Sequence, residues 1–152
     1  MLTNYLMTVS PMIGKPPPDI DLIRQILKAG NTINRYDPGV KHFPLEFAVM
    51  NYPPAYAQEF ARLGVDIKVR DPSGYSLLTR AAAFGYPKLA QFLLDAGADP
   101  NERSVDGLTA LAYAQCRQHQ DVAALLLQHH ANPGDGKPDC AAIGRGGKQV
   151  TH

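Results

Sequence analysis

The chain has no tryptophan, only two cysteines and almost no net charge, +1 at neutral pH. Each shortage excludes something. Cys116 and Cys140 are too few and too far apart to read as a disulfide framework, so a reducing compartment and a cytoplasmic location are expected. The balanced charge offers no broad attraction to nucleic acid or to an anionic membrane. No apolar run approaches the roughly 18 residues of a membrane span. The N-terminal "MLTNYLMTVSPMIGKPPP" has no basic region before its hydrophobic residues and is interrupted at Pro11 and Gly14, so it does not read as a signal peptide.

Chemistry is equally sparse. Cys116 and His119 stand three apart, and His129-His130 form a second pair. Metal sites need three or four converging ligands, and neither Cys-x-x-Cys nor His-Glu-x-x-His spacing occurs. These histidines read as surface or capping residues. A Cys–His nucleophile pair would also need an orienting third group and an oxyanion site, which nothing in the sequence supplies. "GRGGK" at 144–148 lacks the four-residue spacer and the Ser/Thr of a phosphate loop. The expectation is a non-enzyme with no catalytic residue, no metal, no cofactor and no small-molecule substrate.

What is present is repetition. The 152 residues suffice for about one domain, and 13 prolines with 13 glycines promise frequent turns. Gly64 and Gly97 are 33 residues apart, Gly97 and His130 again 33, and Gly30 and Gly64 are 34. "AGADPN" (96–101) aligns with "AGNTIN" (29–34), "LGVDIK" (63–68) and "HHANPG" (129–134); Gly74/Gly107, Ser76/Thr109 and Leu78/Leu111 keep the same step. A period of this length marks stacked supersecondary units.

The unit "DPSGYSLLTRAAAFGYPKLAQFLLDAGADPN" (71–101) shows its physics. Asp71 to Gly74 is turn chemistry. Ser76 suits a helix N-cap, and the spacing predicts a short helix over 77–84 that stops at Gly85. Pro87 fits the first turn of a second helix with Leu89, Ala90, Leu93 and Leu94 on one side and Lys88, Gln91 and Asp95 toward water. Such a hairpin cannot bury its apolar stripe alone and must stack on its neighbours.

A 33-residue β-turn and helix pair carrying "DxxGxSxL…LLDAGADPN" resembles the ankyrin repeat, over roughly residues 19 to 134. The resemblance implies an all-α ankyrin-repeat solenoid of about four helix–turn–helix units with β-turn fingers, at about 1–36, 37–70, 71–103 and 104–134. The outer two would act as caps. In the first, "DIDLIRQILKAG" (19–30) reads as the second helix, with Asp19 as cap, and the first helix would come from about Leu2 to Ile13. The family's Thr-Pro-Leu-His start appears as "FPLE", "SLLT" and "TALA"; its histidine is absent in all three, so weaker capping is expected. His130 replaces the last repeat's glycine, against a clean helix end there. Residues 135–152 lose the period and read as a disordered tail.

The family's cupped-hand geometry places partners on the fingers and first helices. Carried onto this chain, the partner-binding positions are Met50, Asn51, Arg70, Ser73, Tyr75, Phe84, Arg103, Val105, Asp106, Leu108 and Arg117. Aromatic and arginine side chains dominate interface hot spots. The competing reading has Tyr75 and Phe84 packing between repeats and the arginines pairing with acids such as Asp106. The resulting expectation is a protein-binding module, an inhibitor, immunity-type neutraliser or adaptor, for a partner such as a toxin or enzyme with an acidic surface. The alternatives are an enzyme with a site around Cys116, His119 and Cys140, or a scaffold holding two partners.

Overall fold

The computed structural model describes residues 20, 21, 24, 25, 34–39, 41–134 and 137–143. The expected helix from Leu2 to Ile13 lies outside these residues, as does most of 19–30, of which Ile20, Asp21, Arg24 and Gln25 are helical. The chain divides into two compact units, Met1–Asp66 and Ile67–His152.

In the first unit, α1 (Pro44–Asn51) and α2 (Pro54–Arg62) form a hairpin around buried Phe43, Leu45, Ala48, Tyr56 and Phe60. Each helix begins on proline, where a missing N–H costs nothing. Arg24 donates from Nε to Glu59 Oε1 at 2.6 Å, tying the helical residues near 24 to α2. Asn34 Oδ1 accepts from the Asp66 amide at 2.7 Å.

In the second unit, α3 (Leu77–Phe84) and α4 (Pro87–Asp95) are followed by α5 (Ala110–Cys116) and α6 (Gln120–Gln128). First helix packs on first helix and second on second, α3 on α5 and α4 on α6. The small residues Ala81, Ala82, Ala110 and Ala114 let the first helices approach, while Leu89, Leu93, Val122 and Leu126 fill the layer behind them. Only isolated bridges close the fingers, Asp37 with His42, Arg70 with Ser76 and Arg103 with Thr109, so the described residues contain helices and no strand. This is an all-α repeat solenoid.

The helix starts that lack the family's histidine carry other polar partners. Glu46 reaches back to accept from the Phe43 amide at 2.8 Å. Ser76 and Thr109 accept from the amides of Thr79 and Ala112. At α3 and α5 a short polar side chain thus satisfies an orphan N–H of the first turn, whereas at α1 the N-cap is Phe43 and Glu46 serves the Phe43 amide instead. His130 takes φ 66°, the left-handed conformation of Gly64 and Gly97, and its amide reaches the Leu127 carbonyl. The turn is made as in the other repeats, with a β-carbon where they have none.

Two expectations about the C-terminal end are overturned. Cys116 and Cys140 are joined in a disulfide, their Cα atoms 5.5 Å apart, so neither is free. Distance along the chain had argued against pairing, but the polypeptide folds back along α5. The reading of 135–152 as a solvated tail accordingly fails for 137–143, where Asp139 caps a single 3-10 turn at Cys140–Ala142.

Candidate functional site

The fingers and first helices of the second unit carry most of the anticipated contact residues, and buried polar bonds hold them. Asp71 organises the first of these fingers. Its Oδ1 accepts from the amides of Ser73 and Tyr75 at 2.9 and 3.0 Å. Its Oδ2 accepts from Arg80 Nη1 at 2.7 Å, in an ion pair whose side chains are 7% and 6% exposed. The Arg80 guanidinium lies 5.3 Å from the centre of the Phe84 ring, a cation–π distance.

In the next finger Ser104 replaces Asp71 and Tyr113 replaces Arg80. The polar link is rebuilt with other groups. Asp106 Oδ2 accepts from the Tyr75 hydroxyl at 3.2 Å and from the Tyr113 hydroxyl. The two rings meet edge to face, 5.9 Å between centres. Burial, then contact with Asp106, pushes the Tyr113 phenol well above its ordinary value; burial is also the main cause of the rise at Tyr75.

The three anticipated arginines separate by role. Arg70 and Arg103 each donate to the carbonyl of the finger glycine four residues on, Gly74 and Gly107, at 2.8 and 2.6 Å. Arg70 also pairs with Glu102. These two brace their fingers. Arg117, exposed at the end of α5, forms no ion pair among the described residues. Asp106 accepts from two phenols, and the pairing of Arg70 with Glu102 is of the kind the competing reading of the sequence expects.

Tyr75, Phe84 and Arg117 come together around a cavity of about 200 Å³, with Asp71, Thr79, Arg80, Ala83, Tyr113 and Ile143. Phe84 is 52% exposed beside it, and Val105, at the finger tip over Gly74, is 46% exposed. Leu108 and Arg103 border a different hollow of about 470 Å³, on α5 and the segment after α6. Ser73 stays exposed at its finger. Met50 and Asn51 end α1 in the other unit, where Asn51 donates to the Phe47 carbonyl at 2.9 Å.

Sequence reasoning missed Arg80, Tyr113 and Ile143. Arg80 and Asp71 are nine residues apart across a turn, a spacing with no helical or strand signature. Tyr113 had a signal in hindsight, since it occupies the repeat position of Arg80. Ile143 had none.

The alternative around Cys116, His119 and Cys140 meets a different geometry. Both sulfurs are spent in the disulfide, and His119 Nε2 lies 3.2 Å from the Ala83 carbonyl. That ring packs where a β-carbon on Gly85 would stand, 2.5 Å from Nδ1, so it braces one repeat against the next.

Stacked helix pairs with finger turns, held by polar bonds from repeat to repeat, define a repeat-built recognition surface. The family model for ankyrin repeats (three copies) matches residues 45–137, more than half of the chain, and the chain belongs to the ankyrin-repeat family. It is 35% identical over 132 residues to an ankyrin repeat-containing protein of Treponema pallidum, covering 86% of this chain and 42% of that protein. An ankyrin repeat protein of Rickettsia felis is 28% identical over 115 residues, 76% of this chain and 39% of its own. The regulatory protein NPR1 of Arabidopsis thaliana is 33% identical over 98 residues, 64% of this chain and 16% of its own. The chain thus spans less than half the length of each of these relatives. Ankyrin repeats mark it as a protein–protein interaction module, a fold that is generally non-catalytic. Among the described residues no helix is long and apolar enough to cross a membrane.

Proposed function

We propose that the chain binds a partner protein through the fingers and first helices of its second unit and acts by covering what it binds, as an inhibitor, an immunity-type neutraliser or an adaptor. The observation that carries this reading is Phe84, a large aromatic half-exposed on a first helix beside Arg117, a cation with no ion pair among the described residues. Large aromatics left in water next to arginine are the composition of interface hot spots. The contact set is Tyr75, Phe84, Val105, Leu108 and Arg117. Arg70, Ser73, Arg103 and Asp106 hold the fingers in place, and Met50 and Asn51 occupy the matching helix end of the first unit. Because bonds within the repeats already fix the fingers and Tyr75, docking orders little backbone. An exposed arginine favours an acid-lined partner surface, such as that of a toxin or enzyme.

The scaffold alternative asks for a second apolar patch on the second helices. Among the described residues of the second helices Leu127 is the one large apolar side chain left exposed, and single surface apolar residues are ordinary. The test is affinity isolation from the native source with the wild-type chain and with Phe84→Ala/Arg117→Ala, two changes that leave the hydrogen bonds of Asp71 and Asp106 in place. A partner captured by the wild type and lost by the variant supports the reading; equal capture refutes it. Assaying the partner's own activity with the chain bound separates inhibitor from adaptor.

A further inference from the structure

We propose that the Cys116–Cys140 disulfide assembles a redox-controlled docking pocket: oxidised, it holds Ile143 as one wall of the hollow that Tyr75, Phe84 and Arg117 share, and that hollow takes an apolar side chain of a partner protein whose adjacent carboxylate meets Arg117. This rests on the reading that the finger and first-helix face binds protein, and adds which side chains it selects and when.

Ile143 reaches the pocket only because its segment folds back along α5. The described hydrogen bonds of 137–143 run inside the segment: the Cys140 amide to the Pro138 carbonyl, the Ala142 amide to the Asp139 carbonyl, the Ile143 amide to the Cys140 carbonyl, and the Ala141 amide to Asp139 Oδ1. Pro138, Ala142 and Ile143 are half-buried and the other four residues exposed, too little apolar contact to offset the entropy of ordering seven residues, so the covalent tie holds the wall in place.

Ile143 is a wall and not a plug, because about 200 Å³ stays open with it in position. That volume lies below the roughly 300–1,000 Å³ of small-molecule sites and suits one large side chain. The lining selects the occupant. Tyr75 and Phe84 offer aromatic surface to an aromatic or aliphatic group, while Tyr113 lines the hollow as a buried ring. Arg80 is already neutralised by Asp71, which leaves Arg117 as the pocket's cation without an ion-pair partner among the described residues. A carboxylate beside the apolar group completes the match.

The switch is accessible, with Cys140 exposed and Cys116 half-buried. A dithiol reductant gives up two electrons and two protons and leaves as its own disulfide; the S–S bond breaks, Cys116 and Cys140 become thiols, and 137–143 is released from α5.

The test follows backbone amide NMR shifts of Ala83, Phe84, Arg117 and Ile143 in the full chain titrated with acetyl-Phe-Glu-amide and with acetyl-Phe-Gln-amide. Circular dichroism confirms in each sample that the helices are intact. The oxidised wild type is expected to shift saturably, more tightly for the Glu peptide, and Arg117→Ala to erase that preference. Affinity is expected to fall about fivefold or more in dithiothreitol, in Cys116→Ser/Cys140→Ser, and in oxidised Ile143→Ala, which removes the wall without touching the disulfide. Equal affinity in all forms overturns the proposal. Tighter binding on reduction also overturns it, by showing that Ile143 blocks the pocket. No saturable shift in any form overturns it too, while a partner isolated in the Phe84/Arg117 experiment would leave the general protein-binding reading standing.

Discussion

Neutralising one member of the buried Asp71–Arg80 pair should unfold the second unit more readily than any other single change described here. The pair is almost dry, and Asp71 simultaneously anchors its finger through two backbone amides. Asp71→Asn keeps an oxygen for those amides but replaces the oxygen that accepts from Arg80 with an NH2, removing the charge and that bond; Arg80→Met keeps the apolar stem. Breaking a buried pair by removing one partner costs about 3–5 kcal/mol, because the other charge is stranded. Replacing both leaves no charge to strand, so the double variant should cost only about 1–2 kcal/mol, mostly the lost hydrogen bond and the cation–π contact with Phe84. The cycle should therefore show a coupling of at least ~2 kcal/mol. In a domain of this size a 3 kcal/mol loss lowers the melting point by roughly 12–24 °C. Urea titrations followed by far-ultraviolet circular dichroism measure all four forms. Additive single effects, or single variants within about 0.5 kcal/mol of the wild type, would refute the reasoning.

Three further outcomes follow. Gln118 and His130 hold left-handed backbone at φ 63° and 66° where Gly85 and Gly97 stand in the repeat before. Gln118→Gly and His130→Gly should each raise stability by about 1 kcal/mol in thermal melts, whereas Gly85→Ala should lower it, since its β-carbon would come 2.5 Å from His119 Nδ1. Burial and Asp106 hold the Tyr113 phenol above its ordinary 10.0, so the unfolded chain ionises first and native stability, intact below about pH 10, falls as pH rises beyond it. Tyr113→Phe should lose about 1 kcal/mol at neutral pH but show a shallower alkaline decline, read from melts between pH 8 and 11. Cys116→Ser/Cys140→Ser should lower stability by about 3 kcal/mol, the loop-closure entropy for a separation of 24 residues, measured against the oxidised chain in urea.

The repeats were legible because their signals are local. The 33-residue step, Ser76 as cap, Gly85 and Gly97 as stops and Pro87 as starter each act within one or two helical turns, and the helices at 77–84 and 87–95 appear where those residues put them. At α1 the reach-back of Glu46 to the Phe43 amide is a bond that the family comparison, centred on the missing histidine, did not anticipate. Of the contact residues, the aromatic and exposed members Tyr75, Phe84 and Arg117 were legible from repeat position and do border one pocket. Arg70 and Arg103 fit the same pattern, yet are taken up by glycine carbonyls within their own fingers.

By itself, then, the sequence determined the period, the helix pairs and which positions face the fingers, since turn chemistry and apolar spacing operate over a few residues. Only the tertiary structure decided the rest: that Asp71 meets Arg80, that Asp106 collects two phenols from successive repeats, and that Cys140 returns to Cys116 and carries Ile143 with it. Those pairings depend on where the chain returns in space. Stacking the repeats brings residues about thirty positions apart into contact, and folding back along α5 does the same for the two cysteines, through separations that leave no periodic trace.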